Sequence, residues 1–91
     1  MRSMQDEFMQ LVDSIPATQK EEARLSFDIA DRITQLMQER GLSKKQFADA
    51  LGRRPSEVTK WLSGQHNFTL RTIAMLSSFF GKAIIYIQQT Q

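Results

Sequence analysis

Between Gly41 and Gly81 the apolar residues recur in three short bursts at helical spacing, each closed by a glycine. After Ser43, a residue suited to a helix N-cap, Phe47, Ala48 and Leu51 share one face, and Gly52 supplies the left-handed conformation that ends the run. Only Arg53 and Arg54 separate Gly52 from Pro55, which suits the first position of a helix and is hostile to its interior. A second helix is therefore predicted to start near Pro55. Its inward residues are Val58, Trp61 and Leu62, with Ser56, Thr59, Lys60 and Ser63 on the opposite face and Gly64 as its close. A third helix is predicted from an N-cap at Thr69, with Leu70, Ile73, Ala74, Ser77 and Phe80 along one side and Gly81 as its stop.

Upstream, Met4, Phe8, Leu11, Val12 and Ile15 recur at spacings of three and four, predicting a short amphipathic helix over residues 3–15 that Pro16 ends. Its apolar stripe is either a brace on the domain, the favoured reading for a small chain short of core, or a docking surface for another protein. Thr18 is the predicted cap of a long helix reaching Arg40, with Glu21 placed for a capping box and Gly41 as the stop. Its apolar arc of Ala23, Leu25, Phe27, Ile29, Ala30, Ile33, Leu36 and Met37 spans about 200°, more than one neighbour covers. Downstream, Ala83 to Ile87 reads AIIYI, short and β-branched, which favours a strand. A lone strand has nothing to pair with. Either the same segment of a second chain lies antiparallel to it across a two-fold axis through Ile84, Ile85, Tyr86 and Ile87, or it plugs its own core. The predicted fold is all-α, a helical bundle with an extra N-terminal helix and a short C-terminal strand. The segments are residues 1–16 as an extension, 17–82 as the domain and 83–91 as a dimerisation tail.

Two short helices joined by a tight glycine turn and braced by flanking helices describe a helix-turn-helix. Charge sharpens this. Residues 1–39 hold eight acids against four bases, a net −4, whereas residues 40–91 hold eight bases against two acids, a net +6. The net charge of the whole chain, +2, conceals that split. A helix N-terminus carries roughly half a positive charge, so a cation there costs a few tenths of a kcal/mol. Yet Lys44 and Lys45 open one helix, while Arg53 and Arg54 lead into the next, Arg54 at an N-cap where Ser, Thr, Asp or Asn would contribute about 1 kcal/mol. Solvated surface cations are the bland explanation. A phosphate backbone lying across both helix starts accounts for more, since N–H groups, dipole and side chains then favour one anion.

Composition removes several alternatives. With no cysteine there is no disulfide, thiolate zinc site or cysteine nucleophile. His66 is the only histidine, so neither a multi-histidine metal site nor a His-based triad with a cysteine nucleophile can be assembled, and its place in a loop suits a phosphate contact or plain surface. Trp61 is in core phase rather than placed for base stacking, and the methionines read as packing filler rather than a copper site. The four glycines sit at helix ends and form no phosphate cradle, so no cofactor and no enzymatic activity are expected. No apolar run approaches a membrane span or a signal peptide, and a cytoplasmic protein with no membrane role is expected.

The stretch resembles the Cro/C1-type helix-turn-helix of phage repressors, the XRE family, through Leu42, Ser43, Phe47, Ala48, Leu51, Gly52, Pro55, Val58, Trp61, Leu62, Gly64, Leu70, Ile73 and Leu76. The run WLSGQHNFTLRTI is similar to a subgroup common among HigA-type antitoxins. The resemblance implies a lambda-repressor-like fold with Arg54, Pro55, Ser56 and Lys60 facing base edges. It implies phosphate contacts by Ser43, Lys44, Thr59 and the loop of Gln65, His66, Asn67 and Phe68, to which the charge at the helix starts adds Lys45 and Arg53. Two positions depart from the family pattern: Arg53 stands where a small apolar residue is usual, and Arg54 replaces a hydroxyl cap. The implied function is a dimeric, sequence-specific repressor of double-stranded DNA on a palindromic operator. Its acidic N-terminal half fits the antitoxin of a type II toxin–antitoxin pair, binding a ribonuclease-type toxin and repressing its own operon. The alternative is a stand-alone XRE-family regulator without a toxin.

Overall fold

Helix α1, Ala17–Glu39, contributes the largest share of the core. In the computed structural model, which describes residues 15–88, it buries Ser26, Ile29, Ala30, Ile33, Leu36 and Met37, a stripe recurring every three or four residues. Its start differs from the sequence expectation. Pro16 rather than Thr18 stands at the N-cap, with φ −55° and ψ 143° and no side-chain cap, and its carbonyl accepts the Lys20 N–H at 3.1 Å. Thr18 falls inside the first turn, past the point where a cap hydroxyl reaches the free N–H groups. Glu21 also forms no capping box, because the Arg24 guanidinium captures its carboxylate and bridges to Asp28 at 2.8 Å. That hydrogen bond from Arg24 holds the exposed Glu21 carboxyl below its usual range.

The chain turns after α1 with Leu42 N–H donating to the Met37 carbonyl at 2.9 Å. It continues through α2, Lys44–Leu51, α3, Pro55–Leu62, and α4, Leu70–Phe80. One apolar cluster joins all four: Ile29, Ile33, Leu36 and Met37 of α1, Phe47 and Ala48 of α2, Val58 and Trp61 of α3, Leu76 and Phe80 of α4, and Ile84 beyond them. Phe47 is its hub. Its ring lies 6.1 Å from Trp61, 5.6 Å from Phe79 and 5.4 Å from Phe80, centroid to centroid, all in tilted or edge arrangements that suit the aromatic quadrupole.

The phase of α4 corrects the sequence reading. Leu76 is fully buried, while Leu70 is 81% exposed and Ala74 is also exposed. The sequence of α4, LRTIAMLSSFF, is apolar nearly all round, so periodicity does not single out the inward face; packing against Phe47 does.

The wide arc of α1 is resolved in part by Phe27. Although 61% exposed, its ring stands 2.7 Å from where a side-chain carbon would sit on Gly64, which has φ 81°. Gly64→Ala is expected to cost about 1 to 2 kcal/mol of left-handed backbone strain, with the displacement of Phe27 in addition. Gly41→Ala, where φ is 64° and nothing lies within 4 Å, isolates the backbone part. Urea unfolding of both variants checks this, and equal losses would mean that the Phe27 contact contributes nothing.

The tail takes no strand among the described residues. A strand needs a ladder partner, and residues 82–84 are instead tied down singly. Arg32 Nε donates to the Ala83 carbonyl at 3.2 Å, Ile84 N–H to Ser77 Oγ at 3.2 Å, and Lys82 pairs with Glu39 at 3.1 Å. Ile84 is only 5% exposed and plugs the chain's own core, whereas Ile85, Tyr86 and Ile87 are 40%, 83% and 86% exposed. The helix expected over residues 3–15 lies, apart from Ile15, outside the described residues.

Candidate nucleic-acid interface

The geometry of α2 and α3 follows from one turn. Gly52, with φ 66°, ends α2, and the Arg53 N–H then donates to the Ala48 carbonyl at 2.9 Å, satisfying a carbonyl that the helix end leaves free. Arg54 is extended, φ −82° and ψ 143°, and Pro55 begins α3. Glu57 and Val58 N–H groups point at the Arg54 carbonyl, at 3.0 and 3.4 Å, and Pro55 has no donor. The exposed Ser56 N–H is thereby left at the helix mouth for an outside acceptor.

Burial of Val58 and Trp61 fixes the rotation of α3. Trp61 is 3% exposed, which makes it core, as its phase implied. Arg54, Pro55, Ser56, Thr59, Lys60 and Ser63 are all exposed. Among the described residues neither Arg54 nor Lys60 forms an ion pair. Thr59 is less available than its position suggests, because its hydroxyl donates to the Pro55 carbonyl at 3.1 Å. It offers an outside group lone pairs and a methyl rather than a proton.

At the mouth of α2, Lys44 and Lys45 are exposed and likewise form no ion pair among the described residues. Ser43 Oγ accepts the Gln46 N–H at 3.1 Å, and Gln46 Oε1 accepts the Ser43 N–H at 2.9 Å. Capping uses the hydroxyl as an acceptor and leaves its proton for an anion. Gln46 had a legible signal, Ser-x-x-Gln ahead of an apolar run, which the sequence reading passed over.

Arg53 behaves differently from its neighbours. Its guanidinium reaches Glu57 at 3.4 Å and Met75 Sδ at 3.6 Å, so it leans back across α3 toward α4. That is how a long cation is accommodated at this position. The remaining bases of residues 40–91 divide cleanly. Arg40 donates to the Phe79 and Phe80 carbonyls at 3.2 and 2.8 Å, closing α4, and Lys82 pairs with Glu39. Arg71 is exposed at the second position of α4, behind the Thr69 cap that accepts Thr72 N–H at 3.1 Å. It forms no ion pair among the described residues. It puts a cation at a third helix mouth, missed although the same cap-then-cation signal was present.

The loop between α3 and α4 is partly ordered by its own bonds. Ser63 Oγ donates to the Lys60 carbonyl at 2.7 Å and accepts Gln65 N–H at 3.1 Å. His66 is half-buried with its ring 4.7 Å from Phe68, edge to face, while Gln65 and Asn67 are exposed. A turn of three residues joins the C-terminal end of α2 to the mouth of α3, whose exposed face follows it. The fold leaves Tyr86 and Ile87 of the proposed dimerisation set on the surface and withdraws Ile84 from it.

A family model described as helix-turn-helix matches residues 33–87, from the second half of α1 through the exposed tail. No curated protein and no solved structure gives a significant match.

Proposed function

The chain belongs to the XRE-type family of helix-turn-helix DNA-binding regulators, and on that footing we propose that it is a dimeric, sequence-specific repressor acting on a near-palindromic operator. The observation that carries this reading is the exposed face of α3, where Arg54, Ser56 and Lys60 are exposed and, among the described residues, neither Arg54 nor Lys60 forms an ion pair, in a chain whose preceding helix also opens on exposed cations, Lys44 and Lys45. A helix so placed enters the major groove by its N-terminal residues, and the helix before it lies against the backbone. Arg54 suits the acceptors of a guanine edge, Ser56 and Lys60 read adjacent bases, and the orphan N–H groups at the two mouths meet phosphates. The chain works by binding alone in this reading. No helix among the described residues is long and apolar enough to cross a membrane.

Dimerisation is supported by the exposed Tyr86 and Ile87, which antiparallel pairing of two tails would cover. A two-fold dimer then places its half-sites about one DNA turn, roughly 34 Å, apart. Selection of bound duplexes from a random pool tests specificity, symmetry and spacing together. On the selected site Arg54→Ala and Lys60→Ala are expected to cost about 1 to 3 kcal/mol and to relax preference at one position each. Equal losses on every sequence would remove the base-reading role, and a single asymmetric site would remove the dimer.

We place the regulator as the antitoxin of a type II pair. The acidic balance of residues 1–39 attracts a basic ribonuclease, and Leu25 and Phe27 give α1 exposed apolar surface, 44% and 61%. Co-purification with the product of a small adjacent gene is the expected result. Full repression by this protein with nothing bound to it assigns it instead as a stand-alone regulator.

A further inference from the structure

Of the three helices α2 to α4, only α3 opens with an acid: Glu57 lies in its first turn, and the first turns of the other two hold none. With the exposed Asp49 it makes up the whole acidic complement of residues 40–91, against eight bases. Glu57 stands three residues after the N-cap Arg54, where a capping box would turn its carboxylate back to the backbone. The side chain does something else. Its Oε2 accepts from Arg53 Nη1 at 3.4 Å, and among the described residues it has no other bonded partner. Arg53 Nη2 in turn reaches Met75 Sδ of α4 at 3.6 Å, while the Arg53 N–H, donating to the Ala48 carbonyl at 2.9 Å, fixes the main chain beneath.

We propose that Glu57 is a specificity-determining residue, which positions Arg53 toward α4 and so withholds one phosphate contact from DNA that is not the operator. This rests on the reading of α3 as the recognition helix. Stability does not explain the pair. Its side chains are 43% and 40% exposed, and such a pair at i, i+4 contributes little to a fold.

The charge balance on DNA is the larger effect. Non-specific affinity comes from cations that displace counterions, about 0.9 for each phosphate neutralised, or about eightfold in affinity at 0.1 M salt. A closed Arg53–Glu57 pair is neutral and displaces none. Opening the pair to reach a phosphate leaves a carboxylate beside the backbone, which opposes the contact just gained. Discrimination is a difference between two affinities. On the operator Arg54 and Lys60 hold α3 by base edges, whereas elsewhere the protein is held by its cations alone, so a withheld cation weakens the wrong complex most.

The test compares the full chain with its Glu57→Gln variant on two duplexes of equal length, one selected from a random pool and one of scrambled sequence, between 50 and 200 mM salt. On scrambled DNA the variant is expected to bind about eightfold more tightly at 0.1 M salt, and with a salt slope steeper by about one unit, for each chain bound. On the selected duplex its affinity is expected to stay within about twofold of the parent's. Adding Arg53→Gln should return affinity and slope on scrambled DNA to the parent's values, because the effect runs through that guanidinium; a change in helix stability alone does not move the slope. Unchanged binding of Glu57→Gln to scrambled DNA, an equal gain on both duplexes, or a double variant that keeps the tighter binding would each overturn the proposal. A loss on the selected duplex alone would also overturn it, by making Glu57 a reader of bases. A parent chain with no salt-dependent affinity for either duplex is a different result: it removes the DNA-binding reading itself, and this proposal with it.

Discussion

Phe47→Ala lowers the unfolding free energy by about 3 to 5 kcal/mol, the range for removing a large buried ring. The side chain is fully buried and touches three other aromatic rings contributed by α3 and α4, so the void cannot be closed by movement of one neighbour. A domain of this size has about 5 to 14 kcal/mol in total, which makes this one change at least about a fifth of its stability. Urea unfolding should show a lower midpoint with an unchanged slope. Leu70→Ala is the control: at 81% exposure it is expected to stay within about 0.5 kcal/mol of the parent. A loss below 1 kcal/mol for Phe47→Ala would mean that the hub of the core has been misplaced.

Affinity for duplex DNA is expected to fall by about a thousandfold between 50 and 200 mM salt. The estimate takes Lys44, Lys45 and Arg71 as phosphate contacts in each half of a dimer, about six in all, each releasing close to one counterion. Lys44→Ala should then weaken binding to all sequences alike and reduce the salt slope by about one unit for each chain bound. Arg53→Ala should reduce it less, because Glu57 at 3.4 Å already opposes that charge. A flat salt dependence would remove the nucleic-acid reading of the helix mouths. An effect of Arg53→Ala as large as that of Lys44→Ala would show that the Glu57 pair opens on DNA.

Much of the interface was legible beforehand, and particular residues show why. Ser43, Gly52, Pro55 and Thr69 act on backbone conformation within a turn of themselves, and the helices start and stop where these residues place them. Val58 and Trp61 took their inward phase because the rest of α3 is polar. The failures have equally local causes. Thr18 lost the cap of α1 to Pro16, whose locked φ begins the helix two residues earlier. On α4, Leu70 and Ala74 were placed inward and Leu76 was left out, because a helix apolar on every side carries no phase. Arg53 was read as a free cation, and only the approach of Glu57 and Met75 shows where its charge goes.

By itself the sequence determined the helical class, the helix-turn-helix and its limits, and the division of charge between the two halves of the chain. Each depends on contacts within a few residues, through propensity, capping and spacing. Only the tertiary structure decided which cations remain available, that Ile84 enters the core while Tyr86 and Ile87 stay outside, and that Phe27 covers Gly64. Those outcomes depend on residues far apart in the chain meeting in space, and no periodicity along one helix encodes the position of another.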